Sequence, residues 1–150
     1  MARVNIIEYV TIATVGNTTD FGNLTAARGQ VTATGSSTRG LFLAGDTPTV
    51  SDVIDYITIA STGDASDFGD ASEAKDFCAS LSSSTRGVLF GGTPDGGSTL
   101  RDTIEYVTIA STGDVTDFGD LVTAQRQMSG VSNKLRGITG GGGTDTDVME

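Results

Sequence analysis

The chain has 150 residues, of which 9 are basic and 19 acidic, giving a formal net charge of -10, and it contains no histidine or tryptophan. That balance excludes a protein built to hold nucleic acid, which needs a positive face to displace counterions, and it disfavours docking on anionic lipid. One cysteine excludes an internal disulfide framework, and no run approaches the ~20 apolar residues that cross a bilayer, so a soluble chain of one domain, without membrane insertion, is expected.

The first residues, Met1 to Ala13, lack the apolar core and small-residue cleavage site of a signal peptide, so none is expected. From Ile7 the chain enters a pattern that returns at Ile54 and Ile104. Tyr9, Tyr56 and Tyr106 recur at intervals of 47 and 50 residues, and Phe21, Phe68, Phe118 and Arg39, Arg86, Arg136 keep the same intervals. Such self-similarity marks a repeat architecture. The units read as 1–39, 40–86 and 87–136, with 137–150 as the first strand and the start of the second strand of a shared closing blade. The added length falls between Arg86 and Tyr106, in a glycine-rich segment that marks a surface turn.

Within a unit the punctuation predicts four antiparallel strands and no helix. The first runs from Leu41 to Ala44, with Val88 to Gly91 as its counterpart. The second, Val53 to Ala60, has apolar residues on both faces, so both are expected to meet neighbours. Small polar residues at Ser61 to Asp64 make a turn. A short third strand follows at Ala65 to Phe68 and a fourth at Phe77 to Leu81, after which Ser82 to Gly87 leads into the next unit. Four short strands with a period near fifty are the pattern of a propeller blade.

At these residues the chain resembles the kelch family of β-propellers. The likeness rests on Gly91-Gly92 and Gly140-Gly141, on Tyr56 and Tyr106, on Phe68 and Phe118 where kelch units place tryptophan, and on a basic residue before the fourth strand. Arg28 and Lys75 supply that last feature, and Arg126 does so one place displaced. The first glycine pair is replaced by Ala44-Gly45. The repeated strings around Ile54 to Ala71 and Ser82 to Gly92 are also similar to kelch-like repeat proteins of marine tailed bacteriophages. That resemblance implies a virion-associated or tail-fibre-region protein, found in the virion or in the host cytoplasm before assembly. Its implied partners are other virion proteins or host surface glycans.

Closed propellers typically have 4–8 blades, so three units need completion. The chain opens in the second strand of a unit and finishes with a first strand and the opening of a second, and these halves are complementary. The expectation is an all-β, kelch-like chain that pairs with a second copy into a six-bladed ring with two shared blades. A fragment of a longer fibre and an open three-bladed array are the competing readings.

Asp64, Asp67 and Asp70, with their counterparts Asp114, Asp117 and Asp120, are the calcium candidates, since clustered oxygens suit a hard cation. Their spacing is not that of an EF-hand, the first unit has Asn17 and Asn23 around Asp20, and turn-local bonding explains the same residues, so no metal is expected. Arg39, Arg86 and Arg136 are candidates to line a channel or grip an anion. One arginine per blade bonding its neighbour is the plainer account. Cys78 stands where Val31 and Met128 stand in the other units and reads as a buried hydrophobe. Gly140 to Gly143 lacks the lysine and hydroxyl residue of a phosphate loop, and without histidine there is no Ser-His or Cys-His pair.

No cofactor and no catalysis are expected. The sequence points to a non-enzymatic structural or adhesion module. The alternative is a carbohydrate-binding propeller unrelated to a virion, although few of the nine aromatics are spare for sugar platforms. A hydrolase or oxidase on the same scaffold ranks last. The loops Gly45 to Asp52 and Gly92 to Asp102, which alone vary in length, are the expected contact face.

Overall fold

A computed structural model describes residues 2–143, and among them there is no helix. The chain forms successive antiparallel sheets. β1 (Val4–Tyr9) and β2 (Thr19–Arg28) make a two-stranded half-sheet. β3 (Thr32–Gly35), β4 (Arg39–Leu43), β6 (Thr49–Thr58) and β7 (Ser66–Lys75) make the second sheet as a meander, with β5 (Asp46–Thr47) a two-residue flap on β6. β8 (Ala79–Ser82), β9 (Arg86–Phe90), β10 (Thr103–Thr108) and β11 (Thr116–Asp120) make the third. β12 (Arg126–Ser132) and β13 (Gly137–Gly143) form a last half-sheet. Among the described residues no sheet closes on itself. The expected second strand of a closing blade falls in 144–150, outside the described residues.

The strands are those the punctuation predicts, but their partnership differs. The fourth strand of each unit pairs forward: Ala79 faces Phe90 and Ser82 faces Gly87, so β8 belongs to the sheet of the following unit. The reason is the turn between them. Ser83 Oγ accepts from the amides of Thr85 and Arg86, and the Ser83 amide donates to the Arg86 carbonyl at 2.9 Å. A hydroxyl bonding its own backbone makes a tight hairpin of the turn expected at Ser82 to Gly87. Ser36 does the same for Thr38 and Arg39, and Asn133 for Leu135 and Arg136. The third strand is also longer than expected. β7 continues past Phe68 to Lys75 because register shifts opposite Ser51 to Val53 and Ile54 to Asp55 let small residues follow β6 around its twist.

The sheets stack face to face. Leu41, Leu43, Ile54, Phe68 and Ala71 of the second sheet pack against Leu89, Val107 and Ile109, which belong to the third sheet and the turn after β10. Burial of each such side chain contributes about 1.5–3 kcal/mol. The opposite face of β6 presents Ile57 to Ile7, Phe21 and Leu24 of the first half-sheet, so both faces of the strand are covered, as its apolar pattern requires. Along one side, β3, β8 and β12 run next to one another. Their small side chains bond across: Ser80 Oγ donates to the Ala33 carbonyl at 2.8 Å, Ser82 Oγ to Gly35 at 2.6 Å and Ser132 Oγ to Ser82 at 2.6 Å.

Candidate interaction site

The chemistry that recurs in this chain lies at the junctions between sheets. At each junction the turn of one sheet docks on the outer strand of the sheet before it. Gly63 and Ala65 donate to the carbonyls of Phe21 and Asn23 at 2.7 and 2.8 Å. One repeat later Gly113 and Val115 donate to Phe68 and Asp70 at 2.7 and 3.0 Å. The aspartates are part of this docking. Asp64 Oδ1 accepts from the Asn23 amide at 2.9 Å, and Asp114 Oδ1 accepts from the Asp70 amide at 3.1 Å. Asp117 bonds locally to the Gly119 amide, while Asp67 lies opposite Asp55 in the ladder. Asp70 is held above the ordinary carboxylate range by partial burial and then by Asp52, Asp114 and Asp67. Asp120 faces Thr103 in the β10–β11 ladder, so the six calcium candidates are spread over two junctions and the outer strand β11, and among the described residues no three His, Cys, Asp or Glu side chains converge as a metal site requires.

The junctions between the first and second sheets and between the second and third each also contain a buried ion pair. Arg28 meets Asp55 at 2.7 Å, and Lys75 meets Glu105 at 2.7 Å, with both members of each pair almost wholly shielded from solvent. Most of the remaining valences are filled, although Arg28 Nε has no hydrogen-bond partner among the described residues. Thr25 donates its hydroxyl and amide to Asp55, Ser72 does the same for Glu105, and Arg28 Nη1 also reaches the Ala44 and Val53 carbonyls. Without such saturation a buried pair does not recover its desolvation. The bases Arg28 and Lys75 are visible in the sequence as a recurring position. Their acids are not singled out by it, although an acid in the middle of each apolar Ile-Asp/Glu-Tyr run was the available signal.

Arg39 and Arg86 sit over tyrosine rings on the adjacent strand, Arg39 4.7 Å from the centre of Tyr56 and Arg86 4.3 Å from that of Tyr106. Arg39 Nη1 also donates to the Ile109 carbonyl of the next sheet at 2.9 Å. These are scaffold contacts, one arginine in each of the second and third sheets. Arg136 lies exposed in the turn before β13, with no such ring beside it among the described residues. Cys78 packs against the largest apolar cluster, and burial pushes its thiol up to about 12. A thiol in that state is not a nucleophile.

The two variable loops form a separate surface. Between them lies a cavity of about 300 Å3 lined by Asp46, Pro48, Thr49, Asp76, Pro94 and Asp95. Asp95 ties its loop together, accepting from Thr93 and Thr99 hydroxyls and from the amides of Gly97, Ser98 and Thr99, and these bonds hold its carboxyl well below the usual range. Asp46 is paired with Arg3, and Arg101 clamps Glu73 through two bonds of 2.5 and 3.0 Å. Asp76 is the exception: it is 2% exposed, its Oδ1 has no hydrogen-bond partner, and burial followed by the nearby Asp46 raises its pKa.

No family model matches the chain, and a comparison with curated proteins returns no relative.

Proposed function

We propose that this chain is a non-enzymatic structural and interaction module, a run of kelch-like propeller blades that a second chain completes to a six-bladed ring. The observation that carries the reading is where the recurrent polar side chains are spent. Asp64, Asp114, Arg39, the Arg28–Asp55 pair and the Lys75–Glu105 pair all bind one sheet to the next. Groups committed to contacts between sheets are scaffold, whereas the loops that differ between units lie together on one surface. The resemblance to phage repeat proteins supports a place in the virion, at the tail-fibre or appendage region, with the loop face toward another virion protein or a host surface glycan. Among the described residues no helix is long and apolar enough to cross a membrane.

Mass spectrometry of gradient-purified phage particles tests this function. Co-purification of the chain at structural-protein abundance is expected. Binding on a glycan array together with absence from particles supports instead a carbohydrate-binding propeller outside any virion.

A further inference from the structure

The two complete junctions show what covers the outer face of a sheet, and two matching surfaces on the same chain are left uncovered. In the junction between the second and third sheets, Val107 and Ile109 insert against Phe68, and all three are 2% exposed. In the junction between the first and second sheets Phe21 is 8% and Ile59 48% exposed, whereas the remaining counterparts are less shielded: Val10 is 51%, Ile12 97% and Phe118 55% exposed. Beside Phe118 lies an open cavity of about 420 Å3 whose walls include Val88, Phe90, Ile104 and Leu135. Gly119, which corresponds to the two glycines that carry docked turns, has nothing near it. The edges match in the same way. β4 pairs with β6 and β9 with β10, whereas among the described residues their counterparts β13 and β1 each pair on one edge.

We infer that a second copy of this chain lays its β1 along the free edge of β13 and inserts Val10 and Ile12 into the cavity beside Phe118. The inference rests on the reading of the sheets as ring-forming blades and specifies the contact that closes them. The register follows from the in-chain pairs. Leu41 faces Tyr56 and Val88 faces Tyr106, so Ile138 faces the partner's Tyr9. Arg39 and Arg86 stack on Tyr56 and Tyr106, so Arg136 stacks on the partner's Tyr9, which is 43% exposed in the single chain. The occupant is a second copy because this chain carries both halves of the contact, and a two-fold arrangement satisfies both unlike surfaces at once. The shared junction is also the weaker one. Glu8 holds the place of Asp55 and Glu105, but Val122 and Gln125 stand where Thr25 or Ser72 and Arg28 or Lys75 saturate those acids.

The test is disulfide trapping in a Cys78→Ala background. Tyr9→Cys combined with Ile138→Cys is expected to give a covalent dimer under mild oxidation. Val88→Cys with Tyr106→Cys serves as an in-chain control that leaves the mass unchanged. Ile12→Asp and Phe118→Asp, each alone, are expected to abolish association, and mixing the two is expected to restore a dimer through the one intact junction. Failure of the Tyr9/Ile138 pair to link while the control pair links overturns the inference. So does linking by Ile138→Cys alone, which indicates a like-to-like edge. Trapping with no particle association leaves the contact standing and removes the virion role, and the reverse result removes the contact alone.

Discussion

Lys75 Nζ lies 2.7 Å from Glu105 Oε2, a cation on the outer strand of one sheet meeting an acid on the central strand of the next, with 0% and 4% of the side chains exposed. Removing one member of such a pair strands a charge in a dry junction. Lys75→Met is expected to cost about 3–5 kcal/mol, and Lys75→Met with Glu105→Leu to recover most of that loss, because the pair offsets its own desolvation only while both members are present. A double-mutant cycle by urea denaturation checks this.

Asp76 carries the opposite arrangement, a buried carboxyl without a partner for Oδ1. Its folded pKa is raised, so folding favours the protonated form and the ionised form carries a penalty at neutral pH. Asp76→Asn is expected to stabilise the protein by about 1 kcal/mol at pH 7. As the pH falls through the raised pKa the parent becomes protonated, so the gap between variant and parent closes. Thermal unfolding of both proteins across the acid range reads that convergence, and a gap that widens at low pH contradicts it.

Gly69 separates backbone strain from docking. It has φ +146°, and a Cβ there meets the Gly113 carbonyl, whereas Gly119 has φ +137° and open space around it. The alanine variants share the conformational cost of order 1–3 kcal/mol. Gly69→Ala is expected to lose clearly more stability than Gly119→Ala in the single chain, measured by denaturant midpoint.

Asp95 organises the loop from Thr93 to Thr99 through exposed bonds from Gly97, Ser98 and Thr99. Its lowered pKa means that this order is complete above the ordinary carboxylate range and is lost as the pH falls. Asp95→Ala is expected to speed amide exchange at Ser98 and Thr99 at neutral pH while leaving the exchange of β9 and β10 unchanged.

Much of the fold is legible in the sequence because the units are close copies, so the period and strand positions emerge from Tyr9, Tyr56, Tyr106 and their neighbours. Strand partnership is less legible. The turn at Ser82 to Gly87 is legible, but the hydroxyl bonds that make it a hairpin are not, and through them the fourth strand pairs forward rather than closing its own unit. The junction ion pairs lie one step beyond the pattern: the bases recur visibly, but which acid meets them depends on how two sheets stack. The loop cavity is hidden for a different reason. Gly29, Asp76 and Arg126 occupy one position in three units, so no repetition points to Asp76.

The mass of the chain in solution, by size-exclusion chromatography with light scattering, tests the central claim most directly. The account predicts a species of twice 15.3 kDa that falls to a monomer on Phe118→Asp. A parent chain that elutes as a 15.3 kDa monomer across the accessible concentration range contradicts it.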